Sequence, residues 1–225
     1  MAAEPRLDSL YSKLMNEEDA RVCKDIPDSA CSDVPQNFFL QVLANTLTSL
    51  GDTLTNPKTT LAWLLGVVGA PVALIAWLVP IRESGSMLPQ LLIAAWIRRL
   101  PYRRGVWVCG SLLQAAALLA MGAVAWFFEG ALAGGLIIAC LIVFSLARGL
   151  CSVASKDVIG KTVPKTRRGR LNGLATSLSG WLALAFGVYC LIYPPNDDDM
   201  LFYAALLIGA ALLWMLAALV YRRID

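Results

Sequence analysis

The run Pro80-Ile-Arg-Glu-Ser-Gly-Ser-Met-Leu-Pro-Gln90 decides how this chain is read, because it sets Arg82 and Glu83 inside a segment whose neighbours are apolar enough to lie in a bilayer. A charged side chain at the centre of a membrane helix costs about 2.5 to 3.5 kcal/mol on insertion scales, so such residues turn toward a bundle interior or a wet cavity. At helical spacing Arg82, Ser86 and Gln90 share one face with Glu83 at its shoulder, and Leu88, Leu92 and Ala95 lie opposite. Two readings follow. One makes this face the polar wall of a translocation path; the other makes Arg82 and Glu83 a buried structural pair or part of a short interfacial loop.

Upstream, residues 37–66 form an apolar run interrupted by Pro57, with Gln41, Asn45, Thr48 and Asp52 at steps of 4, 3 and 4 along one side. Some thirty residues make roughly 45 Å of helix, longer than the ~30 Å hydrocarbon core of a bilayer. Tilt and a proline kink absorb the excess, with Lys58 just past the kink. Gly69-Ala70-Pro71 then turns the chain, and a second helix over 72–97 passes through the opening run. Hydropathy alone also permits helices at 38–56 and 59–79, leaving Arg82 and Glu83 in a loop. That parse needs a hairpin of about two residues at Asn56-Pro57, shorter than most helix connections, so the first is preferred.

Downstream, Arg98, Arg99, Arg103 and Arg104 close the second helix, and a third over 105–128 holds Ser111 and Gln114 as its strongly polar side chains. After a turn at Glu129 to Gly135, a fourth helix over 132–158 carries Ser145, Arg148, Ser152 and Ser155 at steps of 3, 4 and 3, the first helix's pattern again. A basic loop (Lys161, Lys165, Arg167, Arg168, Arg170) leads to a fifth helix over 171–193, which holds Asn172, Ser177 and Ser179. An acidic turn at 194–199 and a wholly apolar sixth helix over 200–220 follow, before Arg222 and Arg223. Residues 1–36 form a separate polar tail with eight Asp/Glu against four Lys/Arg. No apolar core follows a basic start there, so a signal peptide is not expected. Leu7, Leu10, Tyr11 and Leu14, after a candidate cap at Asp8, predict a short amphipathic helix that lies on the membrane or packs under the bundle; the plainer reading is a solvated tail.

Hydrophobic residues make up 58% of the 225, and the mean hydropathy is +0.64. With apolar runs recurring along most of the chain, this is a polytopic membrane signature. Lys and Arg concentrate on cytoplasmic loops. Segments 98–104, 161–170 and 222–223 carry eleven of them, and the opposing turns at 66–71, 129–134 and 194–199 carry none, which predicts six crossings with both termini inside. Histidine is absent, which removes the usual general base, the usual metal ligand and any Ser-His protease, so no enzymatic activity, metal or cofactor is expected. Cys23 and Cys31 lack metal-site spacing, and Cys109, Cys140, Cys151 and Cys190 read as small buried hydrophobes. The basic loops are too poor in aromatics for a nucleic-acid platform.

Polar residues concentrate in helices one, two, four and five, so helices three and six are expected to face lipid. Equivalence of one with four, two with five and three with six is the pattern of an inverted pair of three-helix repeats. Over residues 37–225 the chain resembles the N-terminal six-helix half of a major facilitator superfamily transporter. The resemblance rests on Gly51-Asp52 in a polar first helix, Trp96-Ile-Arg-Arg-Leu-Pro-Tyr-Arg-Arg104, Arg148 in helix four and Pro164-Lys-Thr-Arg-Arg-Gly-Arg170. The 96–104 loop shares the arginines of the family's Gly-x-x-x-Asp-Arg-x-Gly-Arg-Arg motif but not its acidic residue or second glycine. Helix five lacks the Gly-Pro signature of the family's antiporters. The resemblance implies an all-α membrane protein of six transmembrane helices in two inverted repeats, set in a bacterial inner (plasma) membrane. A second six-helix bundle completes such a carrier, whether as a missing C-terminal half or by self-pairing.

Asp52 and Glu83 are the acidic side chains deep in these spans, and either can load and release a proton. Lys58, Arg82 and Arg148 outnumber them by one, which favours an anionic or zwitterionic solute. The expected pathway residues are Gln41, Asn45, Asp52, Lys58, Arg82, Glu83, Ser86, Gln90, Arg148 and Ser152. The expected gating loops carry Arg98, Arg99, Arg103, Arg104, Arg167, Arg168 and Arg170. The functional expectation is a proton-coupled symporter working by alternating access; the alternative is a non-transporting membrane scaffold or assembly subunit.

Overall fold

The computed structural model describes Tyr11, residues 33–87, Gln90, and residues 103–193 and 199–224. Helix α1 (Val34–Leu54) starts with a proline in its first turn, where a missing N–H costs nothing. It ends where both the backbone N–H and the hydroxyl of Thr55 donate to Gly51 O, at 3.1 and 2.9 Å. Pro57 cannot continue the ladder, so residues 55–59 are non-helical and α2 (Thr60–Val67) begins afresh. The expected single kinked helix over 37–66 is therefore two helices in series. They make little contact with one another, and both pack on the last helix, α7 (Met200–Tyr221). Gly69, at φ +69°, turns the chain into α3 (Val72–Met87), which places Arg82 and Glu83 within a helix and not in a loop.

The remaining helices are α4 (Arg103–Phe127), α5 (Gly130–Thr162) and α6 (Lys165–Ile192). Together with α7, these are the four helices that, among the described residues, are long and apolar enough to cross a membrane. Among the described residues the chain is all-helical, and the protein is an all-α integral membrane protein.

Packing runs in the order α6, α1, α7, α4, α5, α3, with α2 tucked against α7 and α3. Leu118, Met121, Ile137, Leu141, Phe144 and Leu207 are fully buried in the largest apolar cluster. Close approach of α3 to α5 depends on Gly85, where an added Cβ would sit 2.8 Å from Ser145 Cβ. Small residues at such crossings let backbones meet, because lipid supplies no hydrophobic drive between helices. The expectation that helices three and six are the lipid-facing pair does not match their burial. In its most apolar window α6 is 11% buried, against 44% for α4 and 39% for α7. The reason is positional: α4 and α7 pack on each other at the middle of the order, whereas α6 rests chiefly on α1.

Of the acidic tail, Tyr11 and residues 33–36 are described, and Val34 to Gln36 already belong to α1. The Tyr11 ring is 7% exposed, in a cluster with Val34, Phe38, Val42, Val163 and Leu171. It meets Phe38 edge-on at 5.5 Å and lies 4.7 Å beneath the Arg167 guanidinium. At this residue the tail packs against the bundle; Leu7, Leu10 and Leu14 lie outside the described residues. Tyr11→Ala should lower unfolding stability in detergent by about 2 kcal/mol, the worth of one buried aromatic side chain, and an unchanged denaturation midpoint would contradict the packing. Burial raises the phenol's pKa above its usual 10.0, with Arg167 pulling it back. The folded state thus prefers the neutral phenol, so this contribution is complete at neutral pH and declines as pH rises past 10.

Candidate functional site

Asp52 projects from the last turn of α1, Arg82 from the middle of α3 and Arg148 from the middle of α5, and the three side chains meet. Arg82 Nη2 donates to Asp52 Oδ1 at 2.8 Å, and Arg148 Nη1 contacts Asp52 Oδ2. Arg82 does more than pair: its Nη1 donates to Thr55 O at 3.3 Å, and its guanidinium lies 5.0 Å over the Phe144 ring. Thr55 follows the end of α1, where carbonyls lack helical partners and the helix dipole is negative, so a cation there is doubly favoured. Arg82 is accordingly only 6% exposed.

Arg148 differs. One nitrogen sits on Asp52, while 36% of the side chain is exposed, against 21% for Asp52. Two guanidiniums sharing one carboxylate leave the cluster with one surplus positive charge, and a partly buried surplus charge draws a counter-ion.

Beside the cluster lies a cavity of about 230 Å³. Asn45, Thr48 and Ser49 border it from α1, and Ser152 and Ser155 from α5, so the two polar stripes face each other across it. Trp107, Trp214 and Cys151 supply the apolar wall. Trp107 is held by stacking on Tyr221 at 3.8 Å between centroids. The Cys151 thiol accepts from Gln114 Nε2 at 3.3 Å and donates to Trp107 O at 3.4 Å. Gln114 and Ser111, the polar pair of the third predicted span, are therefore used in seating this cysteine.

Of the residues expected on a pathway, the structure gathers Asn45, Asp52, Arg82, Arg148 and Ser152. The others lie apart. Gln41 is fully buried one turn before Asn45, Lys58 is exposed on the α1–α2 connection, and Glu83 is exposed on α3. Ser86 Oγ donates to Glu83 O, and Gln90 Nε2 to Ser86 O, both at 2.9 Å, bonds local to one helix face. Glu83 does not share the Asp52 cluster, so the two acidic candidates are structurally unequal. Trp107, Trp214 and Cys151 escape a reading of sequence, since tryptophans near span ends are normal interfacial anchors and a cysteine in an apolar helix reads as filler.

The arginines expected in gating loops are helical where they are described: Arg103 and Arg104 open α4, and Arg167, Arg168 and Arg170 lie in the first turns of α6. Arg168 donates to Val163 O at 3.0 Å and Gly160 O at 2.8 Å, and Arg104 to Ile224 O. The Arg168 bonds satisfy carbonyls at the end of α5, as a cation at a C-terminus does, while Ile224 lies three residues past the end of α7. Arg167 covers Tyr11, and Arg170 is exposed. Arg98 and Arg99 lie outside the described residues. Among the described residues, no three His, Cys, Asp or Glu side chains come together as a metal site.

Comparison with protein-family models, curated proteins and solved structures found no match. The class is thus set by the chain's own structure: an all-helical integral membrane protein with an ionic cluster of one carboxylate and two guanidiniums beside a polar cavity.

Proposed function

We propose that this chain is one six-helix half of a secondary active transporter of the major facilitator type. It moves a small anionic or zwitterionic solute by alternating access, with Asp52 as the proton-carrying group. The observation that carries the reading is the Asp52–Arg82–Arg148 cluster, drawn from three helices and opening on a cavity lined by hydroxyls and an amide. Intramembrane ionic residues facing a wet cavity mark solute and proton routes more often than packing.

The packing order supports six spans in two inverted repeats. Counting α1 with α2 as one span, exchange of spans one and four, two and five, three and six turns the α1–α6 contact into α5–α3. The same exchange turns α1–α7 into α5–α4 and leaves α4–α7 unchanged; all five contacts are present. Carriers built this way place their sites where repeats meet. The exposed apolar length of α6, with Trp181, Leu184, Val188 and Leu191, suits a second six-helix bundle. A membrane scaffold is the second reading, favoured by the saturation of Arg82 with packing partners.

The two are separated by uptake of a panel of labelled small organic anions and zwitterions, driven by a pH gradient, in cells expressing the intact gene. Asp52→Asn should abolish accumulation against the gradient, because protonation can no longer release the arginines, while Glu83→Gln should leave it within about two-fold. Uptake by Asp52→Asn equal to wild type would remove the proton assignment. Uptake of no solute, with the second bundle supplied, would favour the scaffold.

A further inference from the structure

We infer that the cavity selects a small hydroxylated monocarboxylate, that Arg148 receives its carboxylate, and that Arg82 only holds Asp52 in position. The inference deepens the transport reading of the same site.

Charge argues for one negative group on the ligand. Arg82 spends its fork on Asp52 and Thr55 O and its face on Phe144. Arg148 reaches Asp52 through a single nitrogen, and the rest of its partly exposed side chain borders the cavity. A guanidinium presents a planar fork that matches a carboxylate, so the uncommitted part of Arg148 is the natural anion receptor. Within the contacting cluster the surplus is one charge, which a monoanion balances and a dianion overshoots; the exposed Glu83 carboxylate also acts on Arg82 but does not border the cavity. A zwitterion would bring an ammonium into the site as well. Among the described residues the carboxylate bordering the cavity is Asp52, already shared by two guanidiniums.

Lining chemistry argues for hydroxyls. Asn45, Thr48, Ser49, Ser152 and Ser155 surround the space. The Thr48 hydroxyl gives its proton to Asn45 O at 3.1 Å, which leaves only lone pairs to offer inward. A ligand hydroxyl can donate to those lone pairs and accept from a neighbouring side chain; an alkyl chain can do neither. The apolar walls of Trp107 and Trp214 suit the C–H faces of such a molecule. At about 230 Å³ the space is below that of drug-sized pockets, which suits a small ligand.

The test uses the purified full chain in detergent, titrated by calorimetry with four probes. D-gluconate carries both features, glucose only the hydroxyls, hexanoate only the charge, and serine is a zwitterion. Gluconate should bind at least ten-fold more tightly than the other three. Arg148→Ala should weaken it about ten- to hundred-fold while helix content by circular dichroism and elution volume stay unchanged, and Arg148→Lys should recover part of the loss. Glucose, hexanoate or serine binding as tightly as gluconate, gluconate affinity indifferent to Arg148→Ala, or no gluconate binding would each overturn the inference. Proteoliposome flux separates it from the transport reading. Selective gluconate binding without flux, the second bundle supplied, would defeat transport and leave the site's chemistry standing. Flux of other anions with gluconate ignored would do the reverse.

Discussion

Replacing Arg82 by alanine should lower the unfolding free energy in detergent by about 3 kcal/mol, because a hydrogen bond to a charged group is worth about 1.5 to 3 kcal/mol and other contacts go with it. Three losses combine: Asp52 keeps only Arg148, Thr55 O at the end of α1 loses its donor, and Phe144 loses a cation–π contact worth about 0.5 to 2 kcal/mol. Lysine should rescue little. A single ammonium on a flexible stem cannot serve the carboxylate, the carbonyl and the ring at once. The double variant Asp52→Asn with Arg82→Met should be no more stable than Arg82→Ala, since it leaves the Arg148 guanidinium without its carboxylate. Chemical denaturation followed by circular dichroism reads all four proteins. A loss below about 0.5 kcal/mol in Arg82→Ala, typical of a surface substitution, would show that Arg82 does not tie α3 to α1.

The second large effect is steric. An added Cβ at Gly110 would stand 2.6 Å from Cys151 Sγ and 3.1 Å from Ala147 O, so α4 and α5 can meet as they do only with glycine there. Gly110→Ala should cost about 1 to 3 kcal/mol as overpacking, and Gly110→Leu more, with α4 displaced from its most extensive contact. Cys151→Ala in the Gly110→Ala background should return part of the loss, because the sulfur is the nearest obstacle while the Ala147 carbonyl stays. If Gly110→Leu denatured at the wild-type midpoint, the close α4–α5 crossing would be wrong. The same substitution should disturb the cavity, since Cys151 and Trp107 form part of its wall.

Arg168 shows how a residue can be noticed for its charge and still be misplaced in its element. The sequence puts it in a basic loop, on a bias that acts on charge and position alone, whereas it lies in the first turn of α6. Its bonds to Gly160 O and Val163 O depend on how α5 ends and α6 begins, and no periodicity reports that. The displaced expectation about helices three and six has a related cause. Scarcity of polar side chains marks a helix as compatible with lipid, but a wholly apolar helix is equally compatible with the middle of a bundle, where α4 and α7 are found.

What could be read from the chain alone was whatever repeats along it or counts by residue type: helices, a membrane setting, and the polar stripes at 41–52 and 145–155. These follow because helical geometry fixes which residues share a face and because hydrocarbon penalises charge wherever it occurs. The folded molecule was needed to join Asp52 to Arg82 and Arg148, to leave Glu83 and Lys58 outside, to bring two tryptophans and a cysteine to the cavity wall, and to show which arginine is spent. Contacts between residues thirty to a hundred positions apart are set by how helices cross and where glycines let them approach, and no local pattern records either.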